Sequence, residues 1–300
     1  MYVLCKNKPT AFNKLENFAK FCLSVVNWSD LALGLNPLHM YIRCFEAIIH
    51  MGYRITLKKW RVLQADKPIL IERKKIMQNQ FKVKMNLNVD KVKQGSGTTN
   101  TGNVARAFFS NPEMASDITG IDCQLIKNIS YMLQAINSKY PIDIPAYREF
   151  GQNTARLYVQ LYEWYYMPQS LHRLFFHVHQ VAEILPVTIG ESSEEAIETS
   201  HKCIMQAINH HSRQHSYTAI NNDVGHYRLL QTDPVLNDIS KKHKGAKKKT
   251  SKPLHEGTRN LLKSHLPASS INENTEHPDT SSLDIEGTEH DNILTMPDIN

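Results

Sequence analysis

Three segments carry residue types at spacings that could support chemistry. The first is LHRLFFHVH, which separates His172 from His177 by four residues and places His179 just beyond. That spacing falls within the range of paired zinc-binding histidines, and no cysteine pair lies nearby to complete a site. Two packed core or surface imidazoles give the same pattern, and the chain has 15 histidines in all. The second is the carboxylate cluster Glu191, Glu194, Glu195 and Glu198, in which Glu195 and Glu198 share a helix face. Clustered carboxylates hold the divalent ions of phosphoryl transfer, whereas acids in a first helical turn also complement the helix dipole. The third is GSGTTNTGNVARAFF (95–109), a Gly-rich turn opening into a helix. Backbone N–H groups at such a turn can receive phosphate. Lys91, Lys93, Asn103 and Arg106 around it suit a nucleic-acid backbone better than a nucleotide, because G-x-G-x-x-G and G-K-[ST] are both absent. The plainer alternative is a surface loop with a capped helix.

Helices must position these residues. Residues 10–34 read as an amphipathic helix through Phe12, Leu15, Phe18, Phe21, Leu23, Val25 and Val26, broken at Asn36-Pro37. A second helix is expected over 38–50, and one or two basic helices over 58–84. Asn103 is a candidate N-cap for VARAFF. Further helices are expected over 118–137, from Pro145 to Trp164, from a Ser170 cap over 171–185, and from a Ser192/Glu195 capping box to about His211. A short last helix fits 224–230. No convincing period-2 run occurs, so the ordered part is predicted to be nearly all helical. From 240 onward, SKKHKGAKKKTSKP and a polar sequence with few apolar residues predict a disordered tail.

Composition narrows the classes. With 41% apolar residues the ordered part can bury a core. No apolar run reaches the length of a membrane-spanning helix, and Lys6, Asn7 and Lys8 interrupt any early signal-like stretch, so the chain is expected inside the cell. Cysteines at 5, 22, 44, 123 and 203 form no C-x-x-C and fit reduced thiols. The last thirty residues hold eight acids and no Lys or Arg, which leaves 21 acids against 35 bases over residues 1–270, about +14. That balance points to a polyanionic partner or to an ordinary lysine-rich surface.

FKVKMNL (81–87), G-N-V-A-R (102–106), L-H-R-L-F-F-H (171–177), E-x-x-E-T-S-H-K (195–202) and SRQ (212–214) occur in an order that resembles the C-terminal half of the V(D)J recombination-activating recombinase and of Transib-type transposases. The resemblance covers roughly residues 35–235. It implies a DDE recombinase with an RNase H-like catalytic core. It also implies that Thr101–Arg106 corresponds to the family's M-N-G-N-F-A-R segment, that His172 and His177 are zinc ligands, and that Glu198 is the third catalytic acid, a divalent-cation ligand preceded by Glu195. Lys202 matches the family's lysine, while His201 stands where the family has Asn. Both catalytic aspartates and the zinc-binding C-x-x-C lie upstream in the family. Here neither Asp30 nor Asp66 has that context.

The expectation is therefore a mostly α protein: the helical C-terminal region of a DDE recombinase with a disordered tail. It divides into an N-terminal segment (1–34), a helical zinc-site region (35–186), a region with the third acid and C-terminal helices (187–238), and a basic then acidic tail (239–300). The expected function is that of a transposon-derived, DNA-binding fragment, catalytically incomplete. It carries an incomplete zinc site, and Mg or Mn serves in intact members. Duplex DNA is the expected partner, with a homodimer as assembly and no membrane. KKHKGAKKK (241–249) reads as a nuclear import signal or nucleic-acid patch. The competing reading is a non-enzymatic helical protein–protein interaction module.

Overall fold

In a computed structural model, residues 12–23, 35–93, 97–193, 195–243 and 254–263 are described. They are all-α, as the periodicities predict. The only β pairings among them are isolated bridges, Val92 with Thr98 and Ile142 with Leu262. The described residues fall into two compact units, 12–198 with 254–263, and 199–243.

In the first unit a short helical entry, α1 (Phe18–Leu23), precedes α2 (Pro37–Arg54). Asn36 caps α2 by accepting from Leu38 N at 2.9 Å, and Pro37 takes the first turn, where its missing N–H costs nothing. Tyr41, Cys44, Phe45, Ile48, Ile49 and Met51 line α2 and are buried. Around α2 pack α3 (Lys67–Met85), α4 (Gly102–Phe109), α5 (Pro112–Thr119), α6 (Cys123–Asn137) and α8 (Gln169–Phe176). Helix α7 (Ile144–Tyr162) packs on α6, α8 and α9 (Val178–Ile184).

Several boundaries differ from the sequence expectation for local reasons. The single helix expected over 118–137 is two, because Gly120 adopts φ +75° and Asp122 then caps α6 through Leu125 N at 2.8 Å. The cap of α4 is Thr101, whose hydroxyl accepts from Val104 N at 3.4 Å; Asn103 is inside the helix and exposed. Ser170 does not cap its helix. Pro168 holds that position, and the Ser170 hydroxyl donates to the Arg43 carbonyl at 3.4 Å. The helix expected over 171–185 is jointed at His177, whose φ is −117°. Ser192 donates to the Ile189 carbonyl at 2.9 Å, and the following helix, α10, spans Glu195–His211.

The N-terminal residues are tied in across about 150 residues of sequence. Asn13 accepts from Met167 N at 2.7 Å and donates to the Tyr165 carbonyl at 3.0 Å. Of the tail expected to lack order, residues 254–263 belong to the first unit. There a one-turn helix, Glu256–Arg259, lies on α6, with Thr258, Leu261 and Leu262 buried and Thr258 donating to Gln134 at 3.1 Å. Two adjacent leucines and an Ile142 bridge give this stretch an apolar anchor that the polar sequence around it lacks. Residues 244–253 and 264–300 lie outside the described residues.

The second unit contains α10 from Thr199 on, α11 (Tyr217–Thr232) and α12 (Pro234–His243). Helix α11 is far longer than the stretch 224–230 expected. Ser216 caps it through Ala219 N at 3.2 Å and so starts it earlier. Arg213 grips Asp223 through Nε, at 3.1 Å, and a terminal nitrogen, at 2.9 Å, which holds that carboxyl down to about 2.

Gly151 of α7 lies against the backbone of α8 at Phe175. A Cβ built there would lie 2.3 Å from the Phe175 carbonyl oxygen, a backbone atom that cannot swing aside. Gly151→Ala is therefore expected to destabilise the first unit by about 1–3 kcal/mol, despite alanine's better helix propensity. A chemical denaturation midpoint equal to wild type would contradict this packing.

Candidate nucleic-acid interface and buried histidine pair

Helix α3 gives only Met77 and Phe81 fully to the core. Its polar residues have defined uses on the packed side. Arg73 donates to the Ile118 and Thr119 carbonyls at 3.1 and 3.2 Å, satisfying the end of α5. Gln78 holds the Val89 and Asp90 carbonyls. Lys74 pairs with Asp90, and Lys84 with Asp117. On the open side Lys67, Lys75 and Lys82 are exposed.

The loop after α3 continues this surface. Asn100 accepts from Asp90 N at 2.8 Å, Thr99 N donates to the Lys91 carbonyl at 2.9 Å, and Lys93 N donates to the Gly97 carbonyl at 3.1 Å. This closed loop presents Lys91 and Lys93 to solvent. Among the described residues no carboxylate pairs with Lys67, Lys75, Lys82, Lys91 or Lys93. Arg106 is placed differently from the expectation of an open phosphate ligand. It is half-buried with its guanidinium 5.4 Å above the Tyr41 ring, a cation–π contact. Burial lowers the Arg106 pKa, and burial raises that of Tyr41.

His172 and His177 are brought together at the α8–α9 joint. Their Nε2 atoms are 3.2 Å apart and both residues are 0% exposed. Phe12 stacks flat on His172, with centroids 3.7 Å apart, and Phe21 meets it edge-on at 4.7 Å. Gln180 fixes the protons. Its Nε2 donates to the Phe21 carbonyl at 3.3 Å, so its Oε1 faces His177 Nδ1 at 2.8 Å, which must carry hydrogen. His177 Nε2 is then the acceptor, His172 Nε2 the donor, and His172 Nδ1 a lone pair with no partner.

The separation also tests the zinc reading. Two nitrogens at about 2.0–2.1 Å from a tetrahedral zinc stand roughly 3.3 Å apart, so the pair fits two corners. Among the described residues no group of three His, Cys, Asp or Glu could hold a metal. Aromatic rings stand against the pair on two sides. The described residues thus form a hydrogen-bonded imidazole pair and do not fit a complete zinc site.

Glu198 lies in α10 by its backbone, in helical register with Glu195 and Lys202, and Lys202 is exposed. The side chains of Glu194, Glu195 and Glu198 lie outside the described residues. Glu191 accepts from the Thr188 N–H and hydroxyl at 3.1 and 3.0 Å and so closes a turn. Two residues escaped the sequence reading. Gln180 stands three residues after His177, a spacing that could have suggested an orienting partner. Asn13 has all its partners far downstream, and no local signal marks it. No protein-family model matches the chain, and comparison with curated proteins finds no match.

The buried imidazoles carry a pH dependence. Burial, with the His177 charge and Arg173 adding, pushes His172 down to about 2; burial, with Arg148 and His177 adding, pushes His179 to about 4. Burial lowers His177 as well, against its Gln180 hydrogen bond. All three are neutral when folded, so the stability is complete above the unfolded value of about 6.5 and is lost as pH falls below it. His172 and His179 each contribute a slope approaching about 1.4 kcal/mol per pH unit between pH 6.5 and pH 5, and His177 adds in the same direction. Urea midpoints should fall from pH 7 to pH 5. Both ring nitrogens of His179 are buried without hydrogen-bond partners among the described residues. His179→Leu should flatten that fall and leave the pH 7 midpoint equal or higher. An unchanged slope in the variant would contradict the assignment.

Proposed function

We propose that the chain is a DNA-binding region of a DDE recombinase, of the V(D)J and Transib type it resembles, that grips phosphates. The observation carrying this reading is the run of five exposed lysines, Lys67, Lys75, Lys82, Lys91 and Lys93, on α3 and its loop, which have no carboxylate partner among the described residues. Cations arrayed along a helix and an adjoining loop track phosphates and carry no base readout of their own. Asn103, exposed in the first turn of α4, adds a hydrogen-bonding group, while Arg106 acts from its seat on Tyr41. Glu198 takes the third-acid position and would ligate Mg or Mn in an intact member. In such a site the two metals are shared between this acid and two aspartates. His172 and His177 keep the family's zinc spacing and here serve the core as a hydrogen-bonded pair.

A second reading, a helical protein–protein interaction module, draws on the second unit. There Leu229, Leu230, Val235, Leu236 and Ile239 are exposed on α11 and α12. No described helix is long and apolar enough to cross a membrane.

Duplex affinity measured across salt concentrations separates the two. Phosphate binding gives a steep fall, and Lys75→Ala with Lys82→Ala should reduce the log–log slope by about two, one per lost contact. A flat salt response, or a slope unmoved by the double variant, would favour the interaction module. Nuclear localisation belongs to the same proposal and rests on KKHKGAKKK. A reporter fused to residues 238–256 should accumulate in the nucleus, and a cytoplasmic reporter would remove the import role of that run.

A further inference from the structure

The segment between α2 and α3 carries an aromatic cluster that duplex binding leaves unused. Trp60 is 41% exposed there. Its ring centroid is 4.9 Å from Tyr165 and 5.2 Å from Tyr166, with planes inclined by 69° and 59°. Tyr165 also meets Trp164 at 5.4 Å and is buried, and Asn13 holds its carbonyl, so it forms a fixed floor. The steep inclinations mean that neither tyrosine stacks flat on the indole. Among the described residues no other ring does so, which leaves an indole face for a planar guest.

The backbone beneath is unusual. Lys58 has φ +49°, in the left-handed region a side-chain-bearing residue seldom occupies. Its N–H is nonetheless bonded to the Arg54 carbonyl at 2.9 Å, so the turn is held in place. The charge around the indole is positive. Lys58 and Arg61 flank Trp60 and are exposed, and the Arg54 guanidinium lies 5.9 Å from the Tyr165 ring centre. Lys59 is neutralised by Asp66 at 3.1 Å, and the nearby acid in the aromatic segment is Glu163. A cationic guest would be repelled here. A planar guest on an anionic backbone matches both the ring and its surroundings.

We propose that Trp60, backed by Tyr165 and Tyr166 and flanked by Arg54, Lys58 and Arg61, is a stacking platform for an unpaired nucleobase, so that the chain binds single-stranded nucleic acid. This goes beyond the duplex reading, since it uses other residues and needs no lysine of α3. Stacking tolerates any base because each has a π-face, so the site is expected to be indifferent to sequence.

The test uses the full chain and two fluorescein-labelled single strands of equal length, oligothymidylate and its abasic counterpart, read by anisotropy. Wild type should prefer the strand with bases. Trp60→Ala should weaken oligothymidylate binding about tenfold and leave abasic binding unchanged, while Trp60→Phe should retain most of the preference. The proposal is overturned if wild type does not distinguish the two strands, if Trp60→Ala binds oligothymidylate like wild type, or if it weakens both strands equally. Because Trp60 is 41% exposed and lies outside the hydrophobic core, the alanine variant should keep the wild-type helical signal. Loss of that signal would assign Trp60 to the fold and overturn the platform. The duplex salt slope, unchanged in Trp60→Ala, keeps a failure here distinct from a failure of the phosphate reading.

Discussion

The apolar surface of α2 is the constraint on which the first unit depends. Cys44, Phe45, Ile48 and Ile49 have no exposed area, and five other helices lie against this one. A helix apolar around so much of its circumference must be enclosed, and each large side chain buried there contributes about 1.5–3 kcal/mol. The helices that enclose it share that task unequally: α6 and α8 bury half or more of their residues. Helix α3 meets that need with Met77 and Phe81 and can leave the rest of its circumference to lysine. The basic surface is in this sense a consequence of how completely α2 is covered by its neighbours together.

The same burial explains the directed bonding of the histidine pair, in contrast to His179, whose ring nitrogens have no hydrogen-bond partner among the described residues. A buried imidazole without a partner is costly, and the pair at the α8–α9 joint is satisfied through a directed chain from the Phe21 carbonyl through Gln180 and His177 to His172. That chain ties the N-terminal residues to α8 and α9, and Asn13 ties them to residues 165–167. Two polar anchors thus fix the register of a short segment whose aromatic side chains alone could slide. The open nitrogen of His172 is an acceptor rather than an orphaned N–H, the less expensive way to end such a chain.

What was legible in the sequence follows the range of the interactions. Helices appear where expected because their signals are local: Asn36-Pro37 and Pro145 act within a turn of themselves. Errors arose where two nearby residues competed for one role. Thr101 outcompeted Asn103 as a cap, and Gly120 divided a helix whose apolar period continued across the break. The histidine pair was visible as a spacing, but its partners were not, because Phe12 and Phe21 come from a segment some 150 residues earlier. Residues 254–263 were hidden by composition: a few buried side chains can anchor ten residues inside a polar stretch without altering its average. Trp60 gave no periodic signal, since its neighbours Tyr165 and Tyr166 lie over a hundred residues downstream.

The lysines of α3 and the Trp60 segment differ in what the fold asks of them. Lysine on an open helix face is favourable for the helix and costs the core nothing, so stability alone would tolerate the row whether or not it meets phosphate. Trp60 and Lys58 are the reverse case. A left-handed lysine costs about 1–3 kcal/mol, and a large ring left partly in water forgoes burial that its neighbours could have provided. Lys58 gives part of that back by closing the turn after α2 through its N–H on the Arg54 carbonyl, and Trp60 by packing on Tyr165 and Tyr166. The part of the indole that stays in water, beside exposed Lys58 and Arg61, is what folding leaves unexplained, and on that ground the aromatic segment is the more informative part of the surface, although the lysines supply most of its charge.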